Sequence, residues 1–123
     1  MKIAACIKRV PTTEAQIKVG ADGKSLDTTG LQYMASFYDE IAVEEAIKTK
    51  EKLTGDVTVI TIGPADASKD VREFMARGAD AGVVLKDDAW HARDARATAK
   101  ALATKVKALG AQAWSLKAWR ELD

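Results

Sequence analysis

Apolar residues fall into short unbroken blocks separated by stretches where they recur every third or fourth position, and the two patterns alternate along the chain. The first block, Ile3-Ala4-Ala5-Cys6-Ile7, predicts a strand over Lys2 to Val10 that is buried on both faces and ended by Pro11. The second, Val57 to Ile62, is rich in β-branched residues and stops at Gly63-Pro64; the third runs from Gly82 to Leu85. Between them the period changes to that of a helix. Tyr38 to Leu53 predicts a helix with Ser36 at its cap, acids early, lysines late, Gly55 as its stop and Val43, Ala46, Ile47 and Leu53 as its buried stripe. Ala67 to Arg77 predicts a second helix burying Val71, Phe74 and Met75 and ending at Gly78. Asp94 to Leu109 predicts a third, with Ala95, Ala99, Leu102, Val106 and Leu109 on one side.

Strands alternating with helices over short loops predict a parallel sheet built from right-handed βαβ units. Two segments depart from the alternation. Residues 15–28 are polar, and Ile17-Lys18-Val19 with Ser25-Leu26 around Gly20-Ala21-Asp22-Gly23 predicts a short hairpin arm. Residues 111–123 form an atypical tail where a fourth strand is due. It has no β-branched run, and Trp114, Ala118 and Leu122 fall four apart, so a short amphipathic helix and a strand are equally compatible with it.

Composition narrows the function classes. The 123 residues suffice for one domain with one core. A formal net charge of +1, with basic residues dispersed among 18 acids and only 6% aromatics, gives no platform for nucleic acid. The single cysteine, Cys6, excludes an internal disulfide and agrees with a reducing compartment. The opening run of apolar residues is too short for a membrane span or a signal peptide, so the expected location is cytoplasmic.

Candidate chemistry is sparse. Cys6 lies among apolar neighbours with no base in the sequence around it and reads as a core residue. His91 is the lone histidine and is expected to be exposed before the last helix, which excludes a histidine-rich metal site. Glu44 and Lys48 read as a supporting i,i+4 pair, and Asp87 and Asp88 as a solvated turn, with magnesium ligation as the alternative. Lys8 and Arg9 follow the first strand on the edge where open parallel sheets bind ligands, and so are candidates for phosphate or partner contact. The corner "ITIGPAD" is either a nucleotide site without the usual glycines or only a bend.

Several local patterns then coincide. "IKRVP" closing the first strand, "DEIAVEEA" opening the first helix, "VTVITIGP" and "GADAGVVLKDDA" together resemble the N-terminal half of the electron transfer flavoprotein beta subunit, in the same order and over about residues 1–110. The resemblance implies an α/β fold of the adenine-nucleotide α-hydrolase-like, Rossmann-like type, three-layered with a parallel sheet, and incomplete here on the C-terminal side. It implies a non-catalytic subunit of a heterodimeric electron carrier, paired with an alpha subunit. Such a carrier takes electrons from acyl-CoA and related dehydrogenases to the electron transfer flavoprotein-quinone oxidoreductase, without itself entering the membrane. It implies a structural AMP, with FAD held mainly by the alpha subunit. Carried over by position, the AMP contacts fall on backbone around Cys6, on Ser36 where the family has Asn, and on Thr61, Ile62 and Gly63 at the end of the second strand. The family's phosphate-holding loop has no counterpart before residue 123, which implies a truncated or divergent version. The alternative function is a stand-alone adenine-nucleotide-binding or protein-interaction module of the same fold.

Overall fold

A computed structural model of the chain describes residues 1–114. Its main sheet has four parallel strands: β1 (Lys2–Cys6), β4 (Asp56–Gly63), β5 (Ala81–Lys86) and β6 (Gln112–Trp114), in the order β5-β4-β1-β6. The helices α1 (Phe37–Leu53), α2 (Ser68–Arg77) and α3 (Ala95–Leu109) connect them. Strand order runs outward from β1 through β4 to β5, then returns over the sheet to β6 on the far side of β1. With right-handed crossovers this places α1 and α2 on one face and α3 on the other. The expected three-layer parallel architecture is therefore present.

The tail contains a strand. Gln112 to Trp114 pair with Ile3 to Ala5, so β1 is not left as an edge along that length. The amphipathic pattern continuing through Ala118 and Leu122 lies outside the described residues.

The core sits under α1 and α2. Ile3, Ala5, Val57 and Val59 from the sheet meet Val43, Ala46 and Ile47 of α1 and Val71 and Phe74 of α2. Continuous apolar strands serve both faces: Val57 and Val59 point into this core, while Ile60, by strand alternation, points to the side of α3 and is equally buried. Leu53 and Met75 are exposed instead of buried, because Leu53 falls on the fraying last turn and Met75 lies over the edge strand β5. Ala95 and Ala99 of α3 are also exposed, and none of that helix's residues is fully buried.

The end of α1 corrects a detail of the sequence reading. The positive φ of 61° falls on Thr54, not on Gly55. Gly55 is needed for a different reason: any Cβ there would overlap the backbone of Met1, whose carbonyl accepts from Asp56 N at 3.0 Å.

The segment after β1 forms a second, two-stranded antiparallel sheet that the sequence pattern did not reveal. β2 (Arg9–Pro11) pairs with β3 (Tyr33–Ala35), so Pro11 lies inside a strand and does not merely end one. The expected hairpin arm projects from this ribbon, with a bridge between Val19 and Leu26. Asp22 closes its turn by accepting from the backbone of Lys24 and Ser25, which holds its carboxyl down at about 2, chiefly through the Ser25 hydroxyl.

Candidate nucleotide site

In an open parallel sheet the ligand crevice opens at the carboxyl ends of the strands, where the chain order reverses. Here that point lies between β1 and β6. Cys6 ends β1 there. The next residue, Ile7, donates its N–H to Ile60 O at 2.9 Å, towards β4. Successive residues of a strand send their backbone groups to opposite sides, so the Cys6 carbonyl turns towards the β6 side and the crevice. The Cys6 thiol is half-buried, and burial, reinforced by the Asp39 charge, pushes its pKa up. Burial thus favours the thiol over the thiolate, and the thiol is the weaker nucleophile.

Ser36 caps α1 beside this edge. Its N–H donates to Lys8 O at 3.0 Å and its carbonyl accepts from Asp39 and Glu40, but its hydroxyl makes no capping bond. Asp39 anchors the helix start in another way. Its buried carboxylate accepts from Lys8 N at 2.7 Å and ties the helix start to the chain leaving β1. The sequence pattern placed Asp39 among the early acids of the helix and gave no sign of this burial.

The three residues expected at the end of β4 lie in different surroundings. Thr61 is fully buried, and its Oγ1 has no hydrogen-bond partner among the described residues. Ile62 is half-buried on the opposite face. The Gly63 carbonyl accepts from Asp87 N at 2.9 Å, and a Cβ at Gly63 would come within 3.1 Å of Ala67 and 3.6 Å of the Arg9 side chain. Gly63 thus allows the 3-10 turn Ala65–Ala67 and Arg9 to close over the strand end.

Beside this edge lies an open groove of about 680 Å³ between the β2–β3 ribbon and the loops after β4 and β5, lined among others by Arg9, Gln32, Tyr33, Lys69 and Trp90. None of the five positions carried over by resemblance lines it. Arg9 is its most constrained member. Its guanidinium lies 5.3 Å from the centre of the Tyr33 ring, and Tyr33 meets Trp90 edge to face at 5.6 Å. Arg9 also pairs with Asp70 at 3.0 Å, though the Nε–H is not aimed at the carboxylate, so charge and not a hydrogen bond joins them. Burial raises the Asp70 pKa and Arg9 opposes it. This engagement leaves Arg9 a positioned group of the groove wall, whereas Lys8 is exposed.

The remaining candidates resolve simply. Asp87 accepts from Ala89 N at 3.0 Å and pairs with Arg93, which holds its carboxyl below the usual range; no cluster of potential metal ligands occurs among the described residues. His91 is exposed in the 3-10 turn Trp90–Ala92, its ring 6.0 Å from that of Trp90. Lys48 bonds to Glu45 at 3.0 Å, one turn position away from the expected Glu44. Among the described residues no helix is long and apolar enough to cross a membrane.

The chain is 39% identical over 107 residues to the electron transfer flavoprotein subunit beta of Thermoanaerobacterium thermosaccharolyticum, covering 87% of this chain and 41% of that one. It is 37% identical over 110 residues to protein FixA of Azorhizobium caulinodans, covering 89% and 39%. It is 33% identical over 110 residues to the acryloyl-CoA reductase electron transfer subunit gamma of Anaerotignum propionicum, covering 89% and 41%. The chain thus spans about two fifths of the length of these relatives. A family model described as electron transfer flavoprotein domain matches residues 25–117, which takes in every element from β3 to β6, and the chain belongs to that family.

Proposed function

We propose that this chain is a beta-subunit-like component of a heterodimeric electron carrier, with a structural AMP at the β1–β6 crevice and no catalysis of its own. The observation that carries the reading is the match of residues 25–117 to the electron transfer flavoprotein domain. Two features favour this placing of the adenine end. The Cys6 carbonyl faces the crevice, and the Ser36 hydroxyl at its rim is not consumed by helix capping. In this reading FAD is held mainly by an alpha subunit, electrons arrive from acyl-CoA or related dehydrogenases, and they leave for a quinone oxidoreductase. The carrier works in the cytoplasm.

The chain's own residues supply backbone and packing, and the flavin supplies the redox chemistry when bound. Co-expression of the full chain with an alpha subunit tests the reading. The expected result is a one-to-one complex that retains a reducible flavin and releases AMP on denaturation. An alpha subunit that never co-purifies, or a complex without AMP, overturns it.

A further inference from the structure

Arg9 departs from a general rule of protein interiors. A guanidinium carries five N–H donors, and buried donors are nearly always hydrogen-bonded. The Arg9 side chain is only 11% exposed, yet it makes no hydrogen bond among the described residues. Its Nε is shut off from solvent beside Asp70, to which charge alone joins it. One flat face of the guanidinium lies over the Tyr33 ring. The edge left over is that of the two terminal nitrogens, and it opens on the groove between the β2–β3 ribbon and the loops after β4 and β5. A planar fork of donors, held by an aromatic face and a carboxylate, is arranged for a bidentate acceptor.

The rest of the groove narrows the ligand. Four segments meet around it: the ribbon, the return of the arm at Thr28 and Leu31, the turn from β4 into α2, and the loop after β5. Its volume of about 680 Å³ is that of a small-molecule pocket. Trp90 stands edge to face against Tyr33, so the wall beside the fork is a corner of two rings, which suits a flat apolar body. Lys69 and His91 also line the groove, and so do the exposed acids Asp66 and Asp88. With Asp70 already opposite Arg9, these two acids admit one negative charge and penalise a second. A cationic ligand finds the Tyr33 face taken by Arg9.

We propose that the groove is a binding site for a small planar aromatic monocarboxylate. The terminal N–H groups of Arg9 donate to its carboxylate, and its ring lies against Tyr33 and Trp90. The site is separate from the β1–β6 crevice, because none of Cys6, Ser36, Thr61, Ile62 and Gly63 lines the groove. The proposal therefore does not rest on the crevice holding AMP.

The test titrates the full chain with 2-naphthoate by calorimetry, with far-ultraviolet circular dichroism as the control for folding. A dissociation constant below about 1 mM is expected, within reach of a ligand of this size. The amide 2-naphthamide, of the same shape without the charge, is expected to bind at least about tenfold more weakly. Arg9→Met with Asp70→Leu removes the fork without stranding a buried charge, and is expected to weaken 2-naphthoate binding at least about tenfold. Trp90→Ala is expected to weaken it about fivefold, and decides the matter together with the ligand series if the double variant does not fold. Saturating AMP is expected to leave it unchanged. A dissociation constant above that limit overturns the proposal, as does a folded double variant or a Trp90 variant that binds like the parent. So does equal or tighter binding of the amide or of the cationic 2-naphthylmethylamine, or clearly tighter binding of the dianionic 2-naphthyl phosphate. Displacement by AMP also overturns it, because the groove is then part of the nucleotide's own site.

Discussion

Arg9 and Asp70 form an ion pair at 3.0 Å with side chains only 11% and 12% exposed, joining the start of β2 to the first turn of α2. Removing one member of such a pair leaves a buried charge without compensation, whereas removing both does not. Arg9→Met is therefore expected to destabilise the fold by about 3 kcal/mol, and Arg9→Met with Asp70→Leu by clearly less than the sum of the single changes. Urea denaturation of the four proteins checks this. Additive losses would show that the two side chains do not act as a pair.

Asp80 anchors the start of β4. Its carboxylate accepts from Val57 N at 2.8 Å and pairs with Lys50 at 3.0 Å, and the Val57 bond above all lowers its pKa. A carboxyl with a depressed folded pKa contributes stability that is present above its unfolded value, near about 3.9, and lost as pH falls through the folded value. Asp80→Asn is expected to cost about 1 kcal/mol at neutral pH, discounted because the carboxylate is partly exposed. It is also expected to flatten the stability curve below about pH 4. Thermal melts from pH 2 to 7 measure both, and an unchanged acid slope would refute the assignment.

Burial has the opposite sign at Asp70. Its raised folded pKa favours the protonated form in the folded state, so this contribution is greatest below the unfolded value and is lost as pH rises through the folded one. Asp70→Asn is expected to remove that component while leaving the Asp80 component in place. Identical pH profiles of the variant and the parent would contradict it.

Gly82 lies under α2, where an added Cβ would overlap Val71 Cγ1 and sit 3.2 Å from Met75 Sδ. Gly82→Ala is expected to cost about 2 kcal/mol through overpacking. Adding Val71→Ala, itself destabilising, should make the double variant more stable than the sum of the two predicts. Urea melts that are strictly additive would mean that the sheet shifts to accept the methyl group.

In the proposed nucleotide site, Ser36→Asn supplies an amide where the resemblance places one and is expected to bind AMP as tightly as the parent or more so. Gly63→Val is expected to abolish AMP binding, by displacing Ala67 and Arg9 from the strand end. Calorimetry reads both, with far-ultraviolet circular dichroism as the control for folding. Unchanged affinity in a folded Gly63 variant removes that corner from the site.

How far the sequence foretold this depends on what each residue faces. β1, β4 and β5 were legible because strands buried on both faces read as continuous apolar runs. The three helices were legible from their period, and Asp94 caps α3 by accepting from Ala97 N at 2.7 Å. β6 was not distinguishable because three residues are too few to show a period, and it exists through its pairing with β1. The β2–β3 ribbon escaped for the same reason. Asp39, Asp70 and Asp80 each resemble surface acids in sequence, and only the packing of distant backbone around them gives them structural roles. Of the site, Cys6 at the strand end was legible. The groove was not, because Tyr33 and Trp90 come from segments far apart that meet only after folding.

The return of the chain to β1 has a kinetic consequence. β1 borders strands on both sides, yet Ile3 pairs with Val57 on one side and with Gln112 on the other, more than a hundred residues later. During synthesis this strand emerges early and waits through the assembly of α1, α2, β5 and α3 before its second neighbour arrives. Closing so long a loop is slow compared with forming the local βαβ units, so docking of β6 is expected as a late, separable event. Until then one side of β1 offers bare amides and carbonyls, and the nascent protein is prone to mispairing along that strand.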